Sequence, residues 1–352
     1  MQKNKLVLGG IRMKNILIKL FIAVFSVIFM SVSVSVTNAD QIKVGSFVSA
    51  KGFGSRFVIM PWMERANAAL KEIGSDKELK AYWGGSLGKS PFQQYDLVKA
   101  GVADVAWVMS GYTPGQFPEL EVVELPFFFR TAREASVVSW KLHEMGLLSG
   151  FEDTHLVGMF AGEPASIFSR EPISKLEDLK NKKVRIIGAT QGMWLKTLGA
   201  IPEAAATKDM NDKLNRGTLS AGIQGWSGMK TFKSFGLVTH TVDVPVGTLG
   251  FMLLMNKKTW EGLSADEQKA LQSNAGLMVA EDSGRAYAKA GVDLRKMVKD
   301  GGKHTMVTFT KAELQKYENG AKAVWEEWAN QTPSNRKVFE AAKKLLKEMR
   351  GE

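Results

Sequence analysis

The sequence predicts an α/β protein of two lobes, with a ligand cleft between them and long C-terminal helices. Three observations carry that prediction. Strand-like and helix-like segments alternate over the first 70 residues after position 39. The alternation resumes beyond residue 131, and capping signatures open long helices near the C-terminus. Alternating β and α segments imply parallel sheets flanked by helices. Open sheets of this kind bind ligands outside the carboxyl ends of their strands.

The first unit opens with Ile42-Lys-Val-Gly-Ser-Phe-Val48, an alternating strand, and then a loop holding Gly52 and Gly54. Residues 61–73 read as a helix, because Trp62, Ala66, Ala69 and Leu70 share one face at helical spacing. Residues 79–83 read as a strand closed by Gly84-Gly85, residues 93–99 as a helix and residues 102–109 as a buried strand. The second unit takes up the pattern with a helix over 131–145, a strand over 156–160 and a strand over 184–187. Ser174-Lys-Leu-Glu177 reads as a capping box before the last of these. Helices follow over 191–198 and 209–216, then an apolar strand over 251–255. Two more capping boxes, Ser264-Ala-Asp-Glu267 and Thr310-Lys-Ala-Glu313, open helices expected to run to about residues 298 and 330. One lobe is expected to comprise residues 40–162 with about 250–290. The other is expected to comprise 163–249 with about 291–352.

Residues 1–39 carry Lys3, Lys5, Arg12, Lys14 and Lys19, no acid, and an apolar middle ending in Thr37-Asn-Ala39. That is the pattern of a cleaved export signal, with cleavage expected after Ala39. Met13 offers an alternative start. These five cations belong to a net charge of +11, which leaves about +6 on a mature chain of about 310 residues. The remaining basic residues are mixed with acids, as in Lys175-Leu-Glu-Asp-Leu-Lys-Asn-Lys-Lys183, and export argues against a nucleic-acid partner. There is no Cys, so disulfides, thiolate metal sites and thiol nucleophiles are excluded together.

No enzymatic constellation is present. The four His residues, at 143, 155, 240 and 304, have no metal-ligand spacing. Gly225-Trp-Ser-Gly228 is one residue short of a nucleophile elbow. Gly52-Phe-Gly54 lacks the third glycine of a dinucleotide loop. A binding protein with no cofactor, no metal and no catalytic residues is expected.

Several segments in order carry a resemblance. They are Gly84-Gly-Ser-Leu-Gly88, Gln94-Tyr-Asp-Leu-Val-Lys-Ala-Gly-Val-Ala-Asp104, Glu124-Leu-Pro-Phe-Phe-Phe129 and Pro172-Ile-Ser-Lys-Leu-Glu-Asp-Leu-Lys180. Lys183-Val-Arg-Ile186, Leu198-Gly-Ala-Ile-Pro202 and Met255-Asn-Lys-Lys-Thr-Trp260 continue the series. Together they resemble the DctP-type binding proteins of tripartite ATP-independent periplasmic (TRAP) transporters. The resemblance implies a two-lobed periplasmic-binding-protein-like fold that closes over a small organic acid outside the cytoplasmic membrane. It implies delivery to one small and one large membrane subunit, driven by an ion gradient. The chain is expected to be a periplasmic monomer. The resemblance also implies that Arg185 clamps the ligand carboxylate. A guanidinium fork matches a carboxylate bidentately, and a charge in the apolar strand Val184-Arg-Ile-Ile187 needs a partner.

Departures from the family pattern shape the expected pocket. A second Arg common among relatives is missing from Ala161-Gly-Glu-Pro-Ala-Ser-Ile-Phe168. Trp107, Met109 and Tyr112 occupy positions that are polar in many relatives. Ala221-Gly-Ile-Gln-Gly-Trp226 replaces a more acidic stretch. The expected ligand set is therefore Arg185 with Gln224, walled by Trp107, Met109, Tyr112 and Trp226, with Phe53 closing over it. Such a wall favours a monocarboxylate with an apolar body over a C4-dicarboxylate.

Overall fold

The structure is a computed structural model that describes residues 40–352; the expected export segment and its cleavage point lie outside the described residues. Among the described residues no helix is long and apolar enough to cross a membrane. The strands in chain order are β1 (Asp40–Gly45), β2 (Lys77–Tyr82), β3 (Val105–Met109), β4 (Thr154–Ala161), β5 (Ser166–Ser169) and β6 (Lys183–Ile186). They continue as β7 (Ile201–Ala204), β8 (Ala221–Gln224), β9 (His240–Val242), β10 (Gly250–Asn256) and β11 (Thr305–Val307). Two sheets result, ordered β2-β1-β3-β10-β4 and β11-β9-β5-β8-β6-β7.

In the first sheet β1 runs parallel to β2 and β3, and β10 lies antiparallel between β3 and β4. All seven residues of β10 and all five of β3 are buried. Their alternation assigns each face. Val105, Trp107, Met109, Phe251, Leu253 and Met255 pack towards the helix Met60–Glu72. Ala106, Val108, Met252 and Leu254 pack with the helix Ala132–Glu144. A strand covered on both faces reads as a continuous apolar run.

The second sheet is built of strands of three or four residues. Five of them, β5, β7, β8, β9 and β11, are too short to show a period in the sequence. One face holds Ile167, Val184, Ile223 and Val242 against Trp194 and Leu195. The other holds Phe168 against Met210, Trp226 and Met229.

Two chain segments cross between the sheets side by side, residues 162–165 outward and 243–249 back. They are hydrogen-bonded to each other: Gly162 N–H donates to Leu249 O at 3.0 Å, Ala165 to Gly247 O at 2.8 Å and Val246 to Ala165 O at 2.9 Å. The helix Leu277–Asp300 is a third connection. Its Val279 and Ala280 enter the first lobe's core clusters, and its Val298 enters the second's.

Three expectations are corrected. Residues 264–298 form two helices, Ala265–Gln272 and Leu277–Asp300. The break is Gly276, at φ +57, whose N–H donates to Val157 O and where a Cβ would lie 2.7 Å from the Trp140 ring. Positive φ is open to glycine at little cost. The capping boxes at Ser264/Glu267 and Thr310/Glu313 form. At residue 174, however, Asp178 is the acceptor, taking the N–H groups of Ser174 (2.8 Å) and Lys175 (3.1 Å). Glu177 turns outward to Lys316 and Tyr317. Finally, the helix Pro333–Arg350, grouped by sequence with the second lobe, buries Val338, Phe339, Ala342 and Leu346 in a first-lobe cluster. Arg350 also pairs with Glu134 at 2.8 Å.

Candidate functional site: the cleft between the lobes

A cavity with about 540 Å³ of empty space, counting the part open to solvent, lies between the two sheets. Its first-lobe wall is apolar: Phe47, Phe53, Trp107, Met109, Phe251 and Tyr287 line it. Trp107 sits at the centre of this group, with ring centroids 5.5 Å from Phe47 and 5.4 Å from Phe251. Its ring can do so because Gly54 has no side chain; a Cβ there would lie 2.4 Å from Trp107. Trp107 Nε1 is buried without a hydrogen-bond partner.

The second-lobe wall is polar. Thr207, Gln224, Ser227 and Thr231 line it, from the N-terminus of the helix Thr207–Arg216, the end of β8 and the helix Trp226–Thr231. Behind it stands Arg185 on β6, with no exposure to solvent. Gly222 is its register partner on β8 and lies close enough that a Cβ would sit 3.5 Å from Arg185 Cβ.

The Arg185 donors can be counted. Nε donates to Ala205 O at 2.8 Å, and Nη1 to Ile223 O at 2.8 Å and Gln224 Oε1 at 2.9 Å. Nη2 donates once, to Tyr112 Oη at 2.9 Å. A guanidinium has five N–H donors, so one on Nη2 remains, and the Tyr112 hydroxyl still has its own proton to give. Among the described residues Arg185 makes no salt bridge. Burial pushes its pKa down, and Tyr112 and the more distant Asp209 offset this only in part. The Tyr112 contact bridges the lobes, as does the bond from Phe53 N–H to Thr231 Oγ1 at 3.2 Å.

The seven residues singled out by sequence divide unevenly. Phe53, Trp107, Met109, Tyr112 and Gln224 line the cavity. Arg185 does not reach its surface, although its partners Tyr112 and Gln224 do. Trp226 is placed elsewhere. It is fully buried, donates from Nε1 to Ser166 Oγ at 2.9 Å and packs on Phe168 and Phe235, with Arg295 4.8 Å over its ring. Trp226 was expected in the pocket wall, but the helix it starts faces the core with its tryptophan and the cavity with Ser227 and Gly228.

Sequence reasoning passed over Glu163, Tyr287, Phe47 and Phe251. Glu163 lines the cavity from the first crossing segment, 1% exposed. Its carboxyl accepts from Ser227 N–H at 2.6 Å and Ser227 Oγ at 3.1 Å. Burial raises its pKa to about 7, with the Ser227 bonds opposing. Its signal was a carboxylate in the segment read only for a missing Arg. Tyr287 was hidden by the unrecognised break at Gly276, which sets the rotation of its helix.

Comparison with known proteins agrees with this geometry. The family described as bacterial extracellular solute-binding protein, family 7 (DctP) matches residues 63–332. A marine metagenome TRAP solute-binding protein specific for aromatic acid ligands, solved with 3-hydroxybenzoate, is 27% identical. It superposes with a TM-score of 0.80 over 88% of this chain and 98% of its own. A TRAP solute-binding protein from Rhodoferax ferrireducens T118, solved with copurified benzoate, gives the same identity, TM-score and coverage. Over 234 residues the chain is 25% identical to the outer membrane transporter protein TsaT of Comamonas testosteroni, across 64% of this chain and 68% of that protein.

Proposed function

Because the chain belongs to the family 7 bacterial extracellular solute-binding proteins, the DctP-type receptors of TRAP transporters, we propose that this member captures a monocarboxylate with an apolar or aromatic body. The family is one of solute receptors that work with membrane subunits, not one of enzymes.

The observation that carries the reading is the fully buried Arg185 guanidinium, with no carboxylate in salt-bridge range among the described residues. A buried charge is costly unless paired. A ligand carboxylate supplies the pair, held by the remaining Nη2 proton and the Tyr112 hydroxyl. Tyr112 belongs to the first lobe and Arg185 to the second, so opening the cleft exposes the guanidinium and a bound anion draws the lobes together. The apolar body then lies along Trp107, Phe47 and Phe251, gaining roughly 25 cal/mol per Å² removed from water.

A second carboxylate against that wall would have no buried cation to meet. Lys89 and Lys208 stand at the outer mouth of the cleft, both exposed. The two solved relatives with aromatic acids support the aryl reading. On the same reading the chain is exported by cleavage near Ala39, acts as a monomer and delivers its ligand to one small and one large membrane subunit.

A thermal-shift panel tests the ligand class. Benzoate, phenylacetate and branched aliphatic acids are expected to raise the melting temperature more than succinate or malate. Stabilisation by the C4-dicarboxylates alone would overturn the ligand class and leave the family assignment standing.

A further inference from the structure

Glu163 has a feature the carboxylate clamp does not use. It sits in Gly162-Glu163-Pro164, on the segment crossing from β4 to β5, and faces the cavity. Gly225 and Gly291 let it approach closely: a Cβ at Gly225 would lie 3.0 Å from Glu163 Oε1, and one at Gly291 would lie 3.1 Å from Glu163 Cβ. The carboxyl makes no salt bridge among the described residues. Arg295, on the helix Leu277–Asp300, is paired with Asp243, donating from Nε to its two oxygens at 3.0 and 2.9 Å. Ser227 supplies two donors. The backbone N–H of Glu163 itself is a third, so of a carboxylate's roughly four acceptor positions about one remains.

A buried carboxyl without a cation costs stability unless something pairs with it. A ligand carboxylate cannot pair with the ionised carboxyl, because both are acceptors only. A hydroxyl can donate. The aromatic wall beside Glu163, with Tyr287, Phe251 and Trp107, suits a ring as the carrier of that hydroxyl.

We infer that Glu163 is a specificity-determining residue that accepts a hydrogen bond from a hydroxyl on the ring of an aryl carboxylate. The inference rests on the reading of the cleft as an aryl-acid site. Arg185 and Tyr112 take the carboxylate, and Glu163 selects among rings.

The test is calorimetry with benzoate, 3-hydroxybenzoate and 4-hydroxybenzoate on the wild-type protein and Glu163→Gln. Gln keeps an acceptor for the Ser227 N–H and removes the charge. Hydrogen bonds to charged groups are worth enough to expect at least about 10-fold tighter binding of one hydroxylated isomer by the wild type. In Glu163→Gln the ratio should fall to within about threefold. A wild-type protein that binds benzoate without preferring either isomer overturns the inference alone, as does a folded Glu163→Gln that keeps the preference. Binding of succinate and none of the aryl acids overturns the underlying reading as well.

The wild-type pH profile provides an independent check should Glu163→Gln not fold. Burial raises the carboxyl to about 7; the groups around it are the cation Arg295, paired with Asp243, and Tyr287, a phenol kept neutral because burial and Glu163 raise its pKa. The carboxylate is the better acceptor, so the preference for the hydroxylated acid should grow as pH rises through about 7. A ratio that stays flat between about pH 5.5 and 8.5 overturns the inference.

Discussion

The two walls of the cleft are made differently. The first lobe presents Phe47, Trp107, Met109, Phe251 and Tyr287 from a sheet whose strands are buried on both faces. The second presents Thr207, Gln224 and Ser227, with Arg185 behind them, from short strands and helix starts. Wide, fully covered strands leave apolar side chains at their ends. Short strands and helix N-termini leave backbone groups that polar side chains must satisfy. On the proposed reading this difference accounts for an amphipathic acid as ligand, each half of which would meet a wall of its own kind.

The comparison breaks most severely at Arg185. Arg185→Ala should weaken binding of the preferred acid by about 100-fold or more, since stranding one member of a buried charge pair costs roughly 3–5 kcal/mol. Arg185→Lys should bind poorly too, because four of the guanidinium's donors already hold Ala205, Ile223, Gln224 and Tyr112 in fixed directions. Calorimetry giving wild-type affinity for either variant would remove the clamp from the second wall.

Two tryptophans sharpen the contrast next. Trp107→Ala and Trp226→Ala should each cost about 3–5 kcal/mol of stability, as large-to-small core changes do. Only Trp107→Ala should also lose affinity for an aryl acid, by about 10- to 30-fold, the loss of roughly 2 kcal/mol of apolar contact. Denaturant unfolding and calorimetry on the same preparations separate the two effects. Equal affinity losses would contradict the placement of Trp226 in the core.

Tyr112→Phe should have a smaller effect, about 5- to 10-fold, because it removes one hydroxyl worth about 1 kcal/mol and the hydrogen bond that spans the lobes. An unchanged affinity would mean that Tyr112 covers Arg185 without contacting the ligand. Smallest is the change in shape. Small-angle scattering should show a lower radius of gyration with a saturating aryl acid than without. Identical curves at confirmed occupancy would argue against lobe movement.

Much of this was legible in the sequence. Alternation of segments, the Ser264 and Thr310 capping boxes and the apolar runs of β3 and β10 depend on neighbours a few residues apart, and local spacing records them. Arg185 was legible as a charge in an apolar strand that had to find a partner. The family was legible from ordered motifs. What only the tertiary structure decided depends on distant residues meeting. The strands of the second sheet are set by pairing rather than by their own three or four residues. The helix Pro333–Arg350 returns to the first lobe because Phe339 finds Phe128, with ring centroids 5.4 Å apart. Trp226 points inward because Ser166 and Phe168 lie behind it. Glu163 faces the cavity because Ser227, 64 positions later, holds its carboxyl there. Periodicity reports which side of an element is apolar; which of two apolar spaces that side enters, core or cleft, is fixed only when the elements pack.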